Sequence, residues 1–177
     1  DGKFHIWRMN ADGTDQIQLT FGDGEQRPAI SPDNQWVYYH TVGGSMSTVW
    51  KVPIDGGDPV QVVESASTTP ALSSDGSILA FLAGTIDDIV ILRLHTNEIL
   101  ARFPHTGKSI SADRIRWSAD GSAVYYASQN ADATGNIWRQ PISGGPPAKI
   151  TDFTADRMFD FQLSPDETQI AMNRGDW

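Results

Sequence analysis

Short apolar runs alternate with turns rich in Asp, Gly, Ser, Asn and Pro along the whole chain, and no segment keeps a helical period beyond a turn or two. Twelve residues, Ile30–Thr41 (ISPDNQWVYYHT), set the pattern: an apolar residue, a serine, a turn carrying aspartate, then an apolar run. The pattern returns as LSSDGSILAFLA from Leu72, WSADGSAVYYAS from Trp117 and LSPDETQIAMNR from Leu163. Each copy predicts a β-hairpin. The serine and aspartate side chains can bond nearby backbone amides, and Pro32 presets φ for its turn, so these residues read as turn chemistry.

A second hairpin pattern alternates with the first. FHIWRMNADGTDQIQLT near the start recurs as TVWKVPIDGGDPVQVV from Thr48, as NIWRQPISGGPPAKIT from Asn136 and, less regularly, as DIVILRLHTNEILARF from Asp88. Gly13 supplies the positive φ that the first of these turns requires. Ser31, Ser73, Ser118 and Ser164 follow one another at 42, 45 and 46 residues, close to the period of about 40–45 residues at which four-stranded propeller blades repeat. The expected fold is therefore all-β: one β-propeller domain, 1–177, of four-stranded antiparallel blades. The blades are expected at about 26–63, 68–103 and 110–150, with a split fourth from 158–174 plus 4–19. The phase leaves third and fourth strands at one end and first and second strands at the other. A lone hairpin is marginal in water, so the two halves are expected to pair and close a four-bladed monomer. An eight-bladed homodimer sharing its split blades, or a fragment of a larger ring, are the alternatives.

Pairs such as IWRMNADGTDQIQLT with AISPDNQWVYYHT resemble the repeats of TolB-type, WD-repeat-like bacterial β-propellers, and the resemblance covers nearly the whole chain. It implies a periplasmic or otherwise extracytoplasmic domain that binds a protein or peptide partner, of the kind appended to sensor kinases and peptidases. Its motifs are specific for the fold, because the repeating residues are those that build blades. TolB-type propellers usually have six or more blades where this chain supplies four, and within these 177 residues no signalling or catalytic domain is expected.

Composition narrows the partners. The formal charge is −9, with 13 basic against 22 acidic residues and no basic stripe, which argues against nucleic acid and anionic membrane and leaves basic or neutral partners. No apolar run is long enough to span a bilayer. The 177 residues, 39% apolar, suffice for a packed core, and with no cysteine there is no disulfide framework and no thiol ligand. The sequence opens at Asp1 with neither a signal segment nor an initiator methionine.

An enzyme needs a constellation, and none stands out. Gly43-Gly44-Ser45-Met46-Ser47 lacks the second glycine of a nucleophile elbow. His5, His40, His95 and His105 are scattered without metal-ligand spacing, and the Asp-Gly turns lack the alternating carboxylates of a calcium loop. No catalytic residue, metal site or cofactor is expected; a lyase or hydrolase working at the channel mouth, or a structural fragment with no ligand, are the competing readings. Trp7, Trp50 and Trp138 hold equivalent places in their third strands, with Leu92 at the corresponding position, and are expected to pack between blades. Trp36 and Trp117 are expected in the core, and the burial of Trp177 depends on closure. The candidate ligand-binding residues come from geometry. First strands are innermost in a blade, so the residues four before each repeat serine, Arg27, Thr69, Arg114 and Asp160, are expected to face the axial channel, where they could hold an anion or a peptide carboxylate or neutralise one another.

Overall fold

The computed structural model describes residues 2–84, 88–104 and 115–176. Among these residues every regular element is a strand. Three four-stranded sheets follow the chain in order: β3 (Glu25–Ile30), β4 (Trp36–Thr41), β5 (Val49–Pro53) and β6 (Val60–Gln61); then β7 (Ser67–Leu72), β8 (Ile78–Ala83), β9 (Asp88–Arg93) and β10 (Glu98–Phe103); then β11 (Ile115–Trp117), β12 (Ala123–Gln129), β13 (Gly135–Pro141) and β14 (Ala148–Lys149). Every described ladder is antiparallel between sequence neighbours. Two hairpins flank the sheets: β1 (Trp7–Arg8) with β2 (Ile17–Gln18), and β15 (Arg157–Leu163) with β16 (Ile170–Gly175).

The repeat serine sets each first turn. Ser31 Oγ donates to Asp33 Oδ1 at 2.5 Å and accepts the Trp36 amide at 2.9 Å, while Asp33 Oδ1 also accepts the Gln35 amide at 3.0 Å. Ser73, Ser118 and Ser164 each donate to the aspartate two residues on at 2.6 Å. The residue after the aspartate is left-handed in all four turns: Asn34 and Glu167 at φ 56°, Gly76 at 71° and Gly121 at 68°. Each turn thus satisfies its amides locally and delivers the following apolar run in one register.

The chain divides into two compact units, Asp1–Pro70 with Leu82–Gly84, and Ala71–Phe81 with Thr85–Trp177. In the first, Val37, Tyr39 and Val52 from β4 and β5 are buried against Ile6 and Leu19 of the first hairpin segment. In the second, Tyr125, Ala127 and Ile137 from β12 and β13 are buried against Met158 and Phe161 of β15. Each terminal hairpin therefore covers the face of the sheet beside it. β1–β2 and β15–β16 are each described as a two-stranded sheet, the first in the first unit and the second in the second.

The tryptophans do not share one environment. Trp50 is half-buried against the first unit's core and donates Nε1–H to Thr48 Oγ1 at 2.8 Å. Trp138 is likewise half-buried, and Leu92 is buried. Trp7 is 60% exposed, which corrects its expected place in the core. Trp50 and Trp138 also pair with a second strand, with Tyr39 and Tyr126, whereas among the described residues Trp7 pairs with Gln18 of β2 alone. Trp36 and Trp117 are only half-buried; Lys51 Nζ lies 4.1 Å from the Trp36 ring centroid, and Trp117 Nε1–H donates to the Ala71 carbonyl at 2.9 Å. Trp177 lies outside the described residues.

Candidate functional site

The first strands carry the candidate residues, and their backbone is irregular where those residues sit. The β3–β4 register slips between Gln26 and Ala29, and the β15–β16 register between Met158 and Asp160. Arg27 is left-handed at φ 58° inside the first of these bulges, and Thr69, its repeat counterpart on β7, is left-handed at φ 59°. Both precede a proline, Pro28 and Pro70. Positive φ at a β-branched residue such as Thr69 is strained, and strain persists where surrounding bonds over-determine it. Here the Thr69 amide donates to Nδ1 of buried His40 on β4 at 3.2 Å. That bond defines His40 Nδ1 as an acceptor and the ring as the tautomer bearing its proton elsewhere.

Of the four expected residues, Arg27 is half-buried on β3, Thr69 is buried on β7, and Asp160 is half-exposed on β15. Arg114 lies outside the described residues. Arg27 and Thr69 belong to the first unit and Asp160 to the second. The basic group beside Asp160 is Arg116 on β11. Its Nη2 stands 3.5 Å from Asp160 Oδ1, its Nε donates to Gln162 Oε1 at 3.0 Å, and its Nη1 donates to the Ile115 carbonyl at 3.4 Å. The Asp160 carboxylate also accepts the Phe161 amide at 2.9 Å.

Three features define what this group can do. The guanidinium is partly covered and fixed by a carboxamide, so it is oriented before any ligand arrives. Asp160 is 48% exposed, and at 3.5 Å the pair is loose, so its attraction is largely screened and a ligand carboxylate or carbonyl can share the guanidinium. A guanidinium stays protonated at ordinary pH, so the arrangement positions charge and does not shuttle protons. Elsewhere in the second unit, a recess of about 360 Å³ is lined by Asp132, Ala133, Asp156, Arg157 and Asp176. Among the described residues no group of three or more His, Cys, Asp or Glu side chains is set to hold a metal ion. No helix of the described residues is long and apolar enough to cross a membrane.

No protein-family model matches the sequence. An uncharacterized protein of Agrobacterium fabrum is 24% identical over 139 residues, which are 71% of this chain and 47% of that protein. A solved structure of putative TolB from Agrobacterium tumefaciens aligns with 99% of the chain at a TM-score of 0.82 and 21% identity. TolB from Acinetobacter baumannii aligns with 92% at a TM-score of 0.75 and 20% identity. The fold is a TolB-like β-propeller. The chain spans 65% and 41% of those two solved chains. In a TolB-like propeller the three four-stranded sheets are blades, β3, β7 and β11 are their first strands, and β15 holds the same place in the fourth repeat. Arg116, Asp160 and Gln162 thus join the first strands of two successive repeats.

Arg116 and Gln162 were absent from the expected set, and the signal that could have found them was the two-residue alternation around Arg114 and Asp160. His40 carried no such signal, because its partner lies 29 residues away in the sequence.

Proposed function

We propose that the chain is a noncatalytic binding propeller that recognises a protein or peptide partner. It acts outside the bacterial cytoplasm, as the sensor or scaffold part of a larger protein. The TolB-like fold supports a binding role, and the observation that carries it to particular residues is the pre-oriented Arg116 guanidinium beside half-exposed Asp160. That pair offers a donor fork and an acceptor to a peptide backbone or to a side-chain carboxylate. The chain's formal charge of −9 favours a neutral or basic partner surface around such an anchor.

The test is capture from a bacterial periplasmic extract on immobilised chain, with wild type run beside Arg116→Ala and Asp160→Ala, followed by mass spectrometry and elemental analysis of the purified chain. A protein retained by wild type and lost from both variants is the expected result. Retention indifferent to both substitutions overturns the site. A stoichiometric metal together with turnover of a peptide or polysaccharide overturns the noncatalytic role and restores the lyase or hydrolase reading.

A further inference from the structure

Five Asp-Gly pairs lie among the described residues, beginning at Asp12, Asp23, Asp55, Asp75 and Asp120. Such a pair can cyclise, because glycine has no side chain to keep the aspartate carboxyl from the following backbone nitrogen. Whether it does depends on how freely the carboxyl can swing, and the structure separates five chemically identical dipeptides on that ground. Asp75 Oδ1 accepts the Ser73 hydroxyl at 2.6 Å and the Ser77 amide at 3.0 Å, and its Oδ2 accepts the Ser77 hydroxyl at 2.8 Å. Asp120 repeats the arrangement with Ser118 and Ser122. Asp12 Oδ1 is held by the amide and the hydroxyl of Thr14, at 3.0 and 2.6 Å. Asp23 is tied to Lys3 Nζ at 2.7 Å, and buried Gly24 after it has no room to move: a Cβ there would lie 2.9 Å from Val42 Cγ2 and 3.0 Å from the Val42 carbonyl oxygen.

Asp55, in the turn between β5 and β6, has neither kind of restraint. Its side chain is 83% exposed and is held by Arg8 Nη2 at 2.9 Å, a contact largely screened by solvent. Nothing lies within 4 Å of where a Gly56 Cβ would stand. The Gly56 amide donates to the Pro53 carbonyl at 3.0 Å, much as the Gly13, Gly76 and Gly121 amides donate to carbonyls at 2.9 Å, so the difference between these turns lies in the carboxylates.

We propose that Asp55 is a site of isoaspartate formation and that the modification releases Arg8. The Gly56 nitrogen attacks Asp55 Cγ; the new C–N bond forms as a carboxyl oxygen leaves with the amide proton as water. Water then cleaves the original bond between the Asp55 carbonyl carbon and the Gly56 nitrogen. The chain now runs through Cβ and Cγ, and a carboxylate remains on Cα. The turn is one bond longer and its carboxylate one carbon closer to the main chain, which withdraws the oxygen from Arg8. Arg8 on β1 also donates through Nε to the Ile54 carbonyl at 3.3 Å and through Nη1 to the Asp15 carbonyl at 3.2 Å, and it pairs with the Asp15 carboxylate. It thereby pins the first hairpin to the β5–β6 turn inside the first unit, and the modification loosens that hold.

The test is to age the 177-residue chain at neutral pH below its melting transition and map its peptides by chromatography and fragment-ion mass spectrometry. An isoaspartyl methyltransferase with labelled S-adenosylmethionine counts the product independently. Isomer should accumulate at Asp55 ahead of Asp12, Asp23, Asp75 and Asp120, and the lead should vanish when the chain is aged in urea. Asp55→Glu keeps a carboxylate near Arg8 but enlarges the ring that must close, so it should abolish the signal from this turn. Hydrogen exchange across β1–β2 should quicken on ageing of wild type and not of Asp55→Glu. Equal accumulation at the five sites of the folded chain, or a lead for Asp55 that persists in urea, overturns the site. Unchanged exchange in protein modified at Asp55 overturns the release of Arg8.

Discussion

Tyr125 on β12 donates its hydroxyl to Glu167 Oε2 at 3.0 Å, across 42 residues of sequence, and so ties the third blade to the turn between β15 and β16. The other carboxylate oxygen of Glu167 accepts the Ala119 amide. Glu167 is itself left-handed at φ 56°, in the place where Gly76 and Gly121 serve the second and third repeats. A costly backbone conformation is thus retained by a side chain that clamps two successive repeats. Burial, and then the carboxylate, push the Tyr125 hydroxyl above its ordinary pKa.

Glu167→Gly acts on both contributions at once. It relieves the backbone but removes both bonds, so a net loss of about 1–2 kcal/mol is expected, the worth of hydrogen bonds to a charged acceptor. Tyr125→Phe should cost about 1 kcal/mol, and the double variant should fall short of the sum, since the two residues share one bond. Urea melts of the four proteins measure the cycle; full additivity would show that the clamp carries no energy.

Gly135 approaches the neighbouring repeat more closely than any side chain allows. A Cβ there would lie 2.6 Å from both the backbone nitrogen and the Cβ of Met158, which is fully buried on β15. The Gly135 amide also donates to the Asp156 carbonyl at 2.9 Å, so the two strands cannot simply part. Gly135→Ala should therefore destabilise the second unit by about 1–3 kcal/mol, the range for overpacking. Gly144→Ala, whose Cβ meets nothing within 4 Å, should instead show only the strain of its positive φ of 101°. Thermal melts of both variants distinguish steric clash from backbone preference.

What was legible in the sequence follows from range. The turn from Ser31 to Trp36 could be read because donor and acceptor lie within five residues, and the same arithmetic gave all four hairpins. The exposure of Trp7 could not be read, since a hairpin repeat alone does not say what lies over its third strand. Counting four residues back from each serine reached Arg27 and Asp160, but it assumed strict alternation. Bulges at 26–29 and 158–160 break that alternation, and a one-residue slip turns a side chain to the other face. The Thr69 bond to His40 was beyond any local rule, because it joins two repeats through a residue type that neither repeat requires.

Acid should find the repeat turns early. Hydrogen bonds from the serine two residues before, then from backbone amides, hold Asp33, Asp75, Asp120 and Asp166 below the usual carboxylate range, with Asp75 and Asp120 at about 2 against an ordinary 3.8. The unfolded chain therefore binds more protons than the folded one as these groups titrate. Their contribution to stability is complete above the ordinary value and is lost as pH falls through the folded one. Denaturant midpoints measured from about pH 5 to about pH 2 should fall. They should fall less steeply in the Ser73→Ala, Ser118→Ala double variant, which removes the largest cause of the depression at two of the turns. An unchanged slope would assign the acid sensitivity to other carboxylates.

Trp50 and Trp7 hold the same repeat position on the same kind of strand, with the same fourth-strand pairing to a glutamine, and they differ in what covers them. Trp50 packs against Val37, Tyr39 and Val52 together with Ile6 and Leu19, and its indole N–H is satisfied by Thr48. Its ring is half-buried, so Trp50→Ala should cost about 2–3 kcal/mol, below the range of about 3–5 for a fully enclosed large aromatic. Trp7→Ala, at a ring 60% exposed, should cost under about 0.5 kcal/mol, as a surface substitution does. Equal losses for the two tryptophans in dilute solution would mean that the repeat position itself, and not the strand laid over it, determines the energy of the indole.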